Sequence, residues 1–443
     1  EKSAAQLLDY EKTDMIEPGE SQTVTITTDA QDMASWDSSC ENEAGTTGNW
    51  ILDNGTYYFT VGNGAHEAVN NVLAAQDQDV EGNKDNVQTW ELGDFDSSSF
   101  AVTLNGTPVE NQLQDADLNN WMEDTVTYLS RNDWEGTWPE TYKDLTATDE
   151  MISTMADDYS DIEANGDPSS VTFGADNGMT LANMKGVEDI TDERWSTLMD
   201  QLTLEECLIR TGLGGTSTKV IESITSPEAI QNDGPNGFNS YPLGQYANSD
   251  ASTGDPCVIA EDDPNREYKM GVANETVIGQ TFSKQLAAEW GKAVGNYSLW
   301  ANTAIWWGVG TNLHRTPYNA RNHEYFSEDA VLTAGQGAAI IKAGHDYGVL
   351  IAPKHLAFND TEINRTGIAE FMTEQAAREN ELRGTQSCIE DANALAVMTT
   401  YNRVGCVTSN AHTGLLLNIL HKEWGFKGLM SEDFIQDPAY TKI

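Results

Sequence analysis

The chain has 443 residues, enough for about two or three domains of roughly 100–200 residues each. It carries 71 acidic and 24 basic side chains, so its formal net charge is −47, and such a field repels phosphates and anionic lipid head groups. Composition therefore excludes nucleic-acid and membrane-surface binders as leading classes. The 39% of apolar residues and the 12 Trp exclude a chain that is disordered throughout.

The acidic excess predicts a response to salt. With few basic side chains to offset the carboxylates, self-repulsion destabilises the compact state, and salt screens it by shortening the Debye length to about 8–10 Å. We expect the melting temperature at neutral pH to rise between about 0.05 M and about 1 M KCl, as in a protein from a saline setting. An unchanged or lower melting temperature would favour acid adaptation instead, because carboxylates also lose their charge at low pH.

Neither the cysteines nor the apolar runs indicate a compartment. Five scattered cysteines form no Cys-x-x-Cys pair, and no apolar run approaches the about 18 residues of a membrane span. No signal peptide opens the chain, and Glu1 is not an initiator Met. We expect both ends to be cut from something longer.

The first part of the chain is predicted to be a small β-sandwich over residues 1–74. Val24–Thr27 alternates, and Gly55–Val61 is aromatic and β-branched, with Gly62–Gly64 to turn the chain. Residues 75–185 are acidic and rich in Asn, Ser and Thr without a repeating period, which predicts a connecting segment packed on its neighbours.

From residue 186 onward, helical stripes alternate with short continuous apolar runs. The predicted helices carry Leu286, Trp290 and Val294 with Ser283 as N-cap, and Leu416, Ile419 and Leu420 closed by Gly425. The apolar runs suit strands buried on both faces of a parallel sheet, and they are Ala304–Trp307, Val349–Ala352, Ala394–Met398 and Leu429–Met430.

Polar side chains follow each apolar run within a few residues. In a βα barrel the carboxyl ends of the strands converge on one face, which holds the active site. The pattern predicts such a face, although strands that simply end in polar loops would look similar. The groups concerned are Asn312 to Arg321, Lys354-His355, Tyr401 to Arg403, and Glu432-Asp433.

These junctions resemble the conserved blocks of family 3 glycoside hydrolases. Asn312–Pro317 with Arg321–Asp329 is similar to the family signature, and Lys354–Asp360 to the Lys-His motif of its β-glucosidase branch. Further blocks follow in the family's order, and they are Asp233–Pro235, Asn364-Arg365, Met398–Asn402 and Trp424–Phe434.

The resemblance also implies a domain order. Glu17–Val24, Trp36-Asp37 and Gly55–Gly62 resemble a fibronectin type III-like module, which follows the catalytic barrel in most members but precedes it here. The implied fold is α/β. An incomplete TIM-type (β/α) barrel over residues 186–443, truncated at its end, is preceded by a fibronectin type III-like β-sandwich at 1–74, truncated at its start. This looks like the permuted subgroup, in which an α/β sandwich domain also comes first.

The resemblance assigns Asp433 as the nucleophile that forms a covalent glycosyl-enzyme. It implies substrate-binding roles, with hydroxyl contacts for the charged groups and packing beside the anomeric carbon for Met398 and Tyr401. The substrate-binding set is Asp233, Arg321, Lys354, His355, Arg365, Met398 and Tyr401.

Each assignment has a structural alternative. Asp433 could cap a helix, and Lys354-His355 could be a solvated loop pair. Arg321 could brace Glu324 or Glu328, Arg365 could pair with Asp360 or Glu362, and Met398 and Tyr401 could be plain barrel filling. Glu432 stands where the family commonly has Ser or Thr; strand alternation predicts that it points away from Asp433.

The predicted function is that of a retaining exo-acting β-glucosidase, which hydrolyses terminal non-reducing β-D-glucosyl residues of a β-glucoside or cello-oligosaccharide without a cofactor or metal. A β-xylosidase of the same family, and a non-catalytic sugar-binding protein or inactive fragment, are the alternatives. We expect the acid/base on an upstream segment or another chain that carries the α/β sandwich domain. The sequence does not decide whether the chain forms a homo-oligomer. A secreted or periplasmic location is favoured over a cytoplasmic one.

Overall fold

The computed structural model describes residues 5–42, 45–156, 168–187, 189–212, 217–238, 271–301 and 303–433. Within these ranges no helix is both long and apolar enough to cross a membrane. The last ten residues of the predicted barrel, 434–443, lie outside the described residues.

The β-rich first part contains two antiparallel strand pairs. Strands β1 (Ser35–Glu41) and β2 (Thr47–Ile51) form one pair, and β3 (Gly55–Thr60) and β4 (Val87–Leu92) form the other. Trp36 packs edge-to-face on Trp50 with ring centroids 5.4 Å apart. Large aromatic surfaces removed from water at this contact make it the centre of the small core.

Two predictions for this part are wrong. Val24–Thr27 forms no strand and is largely exposed, because no described strand pairs with it and alternation alone cannot satisfy the backbone. The predicted turn at Gly62–Gly64 does follow β3. The chain then forms helix α1 (Ala65–Ala75), although the β-sandwich was predicted to extend to residue 74.

The β-sandwich continues beyond residue 74. Strand β4 pairs along the whole of β3, and Val109 lies in the same buried cluster as Trp36, Trp50 and Leu52. The predicted boundary between residues 74 and 75 therefore divides residues that pack together. Pairing between strands so far apart in sequence leaves no local pattern.

Short helices lie in and just after the connecting segment. Helices α2 (Trp134–Thr137) and α3 (Asp149–Met155) belong to it, whereas α4 (Glu193–Met199) and α5 (Leu204–Gly212) follow residue 186. Earlier in this segment, Leu113 and Ala116 are fully buried within the core of the α/β part. The segment thus contributes to that core as well as crossing its surface.

Parallel strands form the centre of the α/β part. Strand β5 (Ser217–Thr218) is antiparallel to β6 (Ala229–Asp233), and β6, β7 (Thr303–Gly310) and β8 (Leu350–Lys354) run parallel. A small sheet contains β9 (Ala369–Glu370), β11 (Arg403–Val404) and β12 (Val407–Thr408).

Two further strands extend the parallel arrangement. Strand β10 (Ala396–Met398) pairs parallel with β13 (Leu429–Ser431), and the Leu356 N–H donates to the Met398 carbonyl, which joins them to the β8 side. All four predicted apolar runs are therefore strands. The predicted incomplete barrel remains an interpretation of this sheet.

Helices cover the sheet. They are α6 (Glu275–Gly279), α7 (Lys284–Ala301), α8 (Ala330–His345), α9 (Glu374–Ala376), which continues as a π-helical turn at Ala377–Glu381, α10 (Arg383–Glu390), and a π-helical segment at Gly414–Glu423. Trp306 of β7 is fully buried against this layer, whereas Ile305 and Trp307 pack with Ala352 and Met398 on the other face.

The two predicted helices form. Ser283 caps α7, because its side chain accepts from the Leu286 N–H at 3.1 Å. Trp290 and Val294 are buried as predicted, but Leu286 is 46% exposed and Ala287 takes its place in the buried stripe. The second stripe is buried as predicted, and Gly425 follows it with φ +69°.

A buried arginine connects the β-sandwich to the α/β part. The Arg378 guanidinium lies 4.0 Å from the Trp36 ring, and it pairs at 2.7 Å with both Glu374 and Glu423. All three charged side chains are at most 4% exposed. Arg378→Met would leave two buried carboxylates facing each other, so we expect it to lower the free energy of unfolding by about 3–5 kcal/mol.

Chemical denaturation measures this loss, with Arg194→Met as the matched control. Arg194 makes a comparable pair with Asp192, but it is 54% exposed. An exposed ion pair is screened by solvent and contributes little to stability, so the control should differ little from the wild type. Equal changes in the two variants would contradict the contribution assigned to Arg378.

Candidate active site

The predicted site residues lie where the parallel strands end. Asp233 is the last residue of β6, Lys354 the last of β8 and Met398 the last of β10, while Asp433 follows β13 by two positions. Because parallel strands present their carboxyl ends at one edge, residues separated by up to 200 positions in the chain come together there.

Lys354 is the centre of a buried ion-pair network. Its ammonium is 2.6 Å from Asp233 Oδ1 and 2.7 Å from Glu324 Oε1, and Glu324 also accepts from Arg321 Nε at 2.7 Å. The Lys354 side chain is 3% exposed and that of Asp233 is 41% exposed. Asp233 therefore presents the open end of this network.

The network sets the charges of its members. Burial alone would lower the pKa of Lys354, but Asp233 and Glu324 outweigh it and raise the pKa above its usual range. Burial would raise the pKa of Glu324, but Lys354 and Arg321 hold it well below its usual range. Lysine and glutamate are therefore both charged at neutral pH.

His355 is buried and neutral. Burial, followed by the cationic Arg321 and Lys354, lowers the pKa of His355 well below its usual range. Arg321 Nη2 lies 3.2 Å from His355 Nε2, and because a guanidinium only donates, this ring nitrogen must accept. The proton then sits on Nδ1, which is 3.3 Å from Asn312 Oδ1.

Asp433 is 8% exposed and faces two of the other predicted residues. Its Oδ2 lies 3.4 Å from Arg365 Nη1 and 3.6 Å from His355 Nε2. Glu432 is exposed, in agreement with the expectation that it points away from its neighbour. The carboxylate thus lies beside a guanidinium and next to the Lys354 network.

Arg365 also contacts Glu362 and Tyr401. Its Nε is 3.2 Å from Glu362 Oε2, and its guanidinium lies 4.4 Å from the Tyr401 ring. Burial, and then the nearby Asp433 carboxylate, raise the pKa of Tyr401 to about 12, so its hydroxyl keeps its proton. Met398 is 5% exposed and packs in the strand core.

The structure also decides between the structural pairings considered for the two arginines. Arg321 does brace Glu324, and Arg365 does pair with Glu362, yet both guanidiniums also reach the site, at His355 and Asp433 respectively. An ion pair with a neighbour and a position in the site are therefore compatible.

Three glutamates of the site were not among the predicted site residues, namely Glu275, Glu324 and Glu362. Glu324 and Glu362 each lie three positions from an arginine of the site, and that spacing was the available signal. Glu275 has no such signal, since its contacts are with residues 35 or more positions away. In the described part of the chain, no group of three or more His, Cys, Asp or Glu side chains could hold a metal ion.

This geometry defines an α/β protein with a polar site at the carboxyl ends of its parallel strands, built from charged hydrogen-bonding groups. Residues 270–438 match the glycosyl hydrolase family 3 N terminal domain, and residues 1–65 match the fibronectin type III-like domain. These matches relate the chain to glycoside hydrolase family 3, with the fibronectin type III-like match before the glycosyl hydrolase one.

Relatives align along nearly the whole chain but are much longer proteins. A β-glucosidase of Ruminococcus albus is 29% identical over 450 aligned residues, which cover 98% of this chain and 40% of that protein. β-Glucosidase A of Butyrivibrio fibrisolvens is 26% identical over 446 aligned residues, covering 98% of this chain and 47% of that protein. The chain thus spans less than half the length of these relatives.

A solved structure agrees at the level of the fold. The crystal structure of a β-glucosidase from Paenibacillus barengoltzii superimposes with a TM-score of 0.60 over 95% of this chain and 40% of that one, at 20% sequence identity. The likeness extends over the β-sandwich, the connecting segment and the α/β part together.

Proposed function

We propose that the chain carries the active site of a retaining exo-acting β-glucosidase. The observation that carries the proposal is the buried Asp433 carboxylate, 3.4 Å from Arg365 and beside the Asp233–Lys354–Glu324 network. A carboxylate at the end of a central strand, flanked by cations and charged hydrogen-bonding groups, suits a sugar whose hydroxyls are held while its anomeric carbon is attacked.

In this mechanism Asp433 attacks the anomeric carbon as the bond to the leaving oxygen breaks. A covalent glycosyl-enzyme forms, and water then releases the sugar with its original anomeric configuration. Asp233 accepts hydrogen bonds from hydroxyls at the non-reducing end, while Lys354, His355 and Arg321 hold the other hydroxyls. Arg365, with Nη1 at 3.4 Å from Asp433 Oδ2, keeps the carboxylate oriented.

The acid/base group is proposed to come from another segment or chain that carries the α/β sandwich domain. A retaining enzyme needs a second carboxyl about 5–5.5 Å from the nucleophile. Glu362 is connected to Asp433 through Arg365, but its oxygens are engaged by Arg321, Asn359 and Arg365. It is therefore poorly suited to give a proton to a leaving group.

Assays of the whole protein with matched aryl β-glucosides and aryl β-xylosides test the substrate. We expect the glucoside to have the higher kcat/KM, with the released sugar first appearing as the β-anomer by NMR. A higher kcat/KM for the xyloside would support the β-xylosidase alternative. Sugar binding without turnover of either substrate would support a non-catalytic protein.

A further inference from the structure

Helix α6 holds two of the segments that build the site. The Thr276 hydroxyl donates to the Tyr325 carbonyl at 2.9 Å, next to Glu324. The adjacent Glu275 side chain accepts from the Gly310 N–H at 3.2 Å, at the end of β7. The first turn of this helix thus touches both the β7 end and the segment that carries Glu324.

Gly310 transmits this contact to the Lys354 network. A Cβ on Gly310 would lie 2.2 Å from the Glu324 carbonyl oxygen, so the two backbones pack with no room for a side chain. The position of the β7 end therefore determines where the Glu324 backbone lies. Glu324 in turn holds Lys354 at 2.7 Å.

The Glu275 side chain is buried without a full set of partners. The residue is 1% exposed, and its second oxygen, Oε2, has no hydrogen-bond partner among the described residues. Three charged groups face it, namely Asp233, Glu324 and Lys354. Burial, and then the Glu324 charge, raise the pKa of Glu275 well above its usual range, against the opposing effects of Lys354 and the Gly310 N–H.

We propose that Glu275 is a positioning residue for Lys354, because its side chain holds Gly310 against Glu324. Glu275 does this in its protonated, neutral form. An ionised Glu275 would be a third carboxylate near one ammonium group, and it would compete with Asp233 and Glu324 for Lys354. The neutral form keeps the backbone contact and leaves the ammonium to its two partners. The inference rests on the proposed function, in which Lys354 and Asp233 hold sugar hydroxyls.

Glucose affinity as a function of pH tests the proposal, measured by titration calorimetry on the whole protein. Glu275→Gln keeps a neutral group of the same shape, whereas Glu275→Ala removes the contact with Gly310. We expect the glutamine variant to bind within about twofold of the wild type near pH 6 and the alanine variant at least about tenfold more weakly. Glu289→Gln on the exposed face of α7 is the matched control.

The pH dependence separates this role from a merely structural one. As pH rises and Glu275 ionises, the wild type should lose affinity, while Glu275→Gln should keep it because an amide does not titrate. This comparison needs only the isosteric variant, so it holds even where the alanine variant fails to fold. Parallel pH profiles for wild type and Glu275→Gln would overturn the neutral-acid role.

The remaining outcomes separate the inference from the proposed function. If the wild type binds glucose and Glu275→Ala binds it equally well, the positioning role is wrong and the proposed function stands. If the wild type binds no glucose, the proposed function fails, and crystal structures decide the inference. Unchanged contacts of Lys354 with Asp233 and Glu324 in Glu275→Ala would then overturn it.

Discussion

Replacing Asp433 by Asn is expected to reduce kcat of the whole protein by about 10⁴-fold or more, because an amide cannot attack the anomeric carbon. The side chain keeps its shape beside Arg365, so glucose affinity should stay within about tenfold of the wild-type value. Steady-state kinetics measure the first effect, and titration calorimetry the second. Together they separate loss of the nucleophile from loss of the site.

The neighbouring carboxylate provides the control. Glu432 is exposed, whereas Asp433 is buried, so Glu432→Gln should leave kcat unchanged. A 2-deoxy-2-fluoro glucoside should also leave a covalent label on Asp433, because the fluorine slows release of the glycosyl-enzyme. Peptide mass spectrometry that places the label on Glu432 would contradict the assignment.

The second large effect concerns the leaving group. If the acid/base lies outside this chain, the chain alone should hydrolyse a dinitrophenyl β-glucoside, whose leaving group departs without protonation. It should be inactive on cellobiose or an alkyl glucoside, because loss of a general acid costs about 10²–10⁴-fold. Rates measured for a series of aryl glucosides should therefore fall steeply as the leaving group becomes more basic.

Azide gives a sharper test of the same idea. An anion that needs no general base can release the glycosyl-enzyme, so added azide should accelerate turnover of the dinitrophenyl substrate and yield the glycosyl azide. Asp433→Asn serves as the control, since without a nucleophile there is no intermediate to rescue. Cleavage of cellobiose by the chain alone, at the rate of the whole protein, would show that the acid/base lies within these residues.

Elements with a strong local pattern could be predicted from the sequence. The four apolar runs became β7, β8, β10 and β13, because a strand buried on both faces needs a continuous apolar stretch and little else. The polar residues after them fell at one edge of the sheet, since parallel strands share a direction. Short, specific motifs at these junctions carried the resemblance to family 3 glycoside hydrolases, and the family model matches residues 270–438.

Elements that depend on a distant partner could not be predicted in this way. Val24–Thr27 alternates but has no described strand to pair with, while β4 pairs with β3 from beyond the predicted domain boundary. Leu286 fits a helical period as well as Ala287 does. Only the packing of α7 decides that Leu286 is exposed and Ala287 buried.

The sequence by itself determined which residue types stand at the strand ends, because those positions follow from local patterns and motifs. Only the tertiary structure decided how they pair. Lys354 lies between Asp233 and Glu324, residues 121 and 30 positions away, and such contacts leave no trace in a local window. Glu275 shows the same limit, since its side chain is buried against the Gly310 N–H, 35 positions further along the chain.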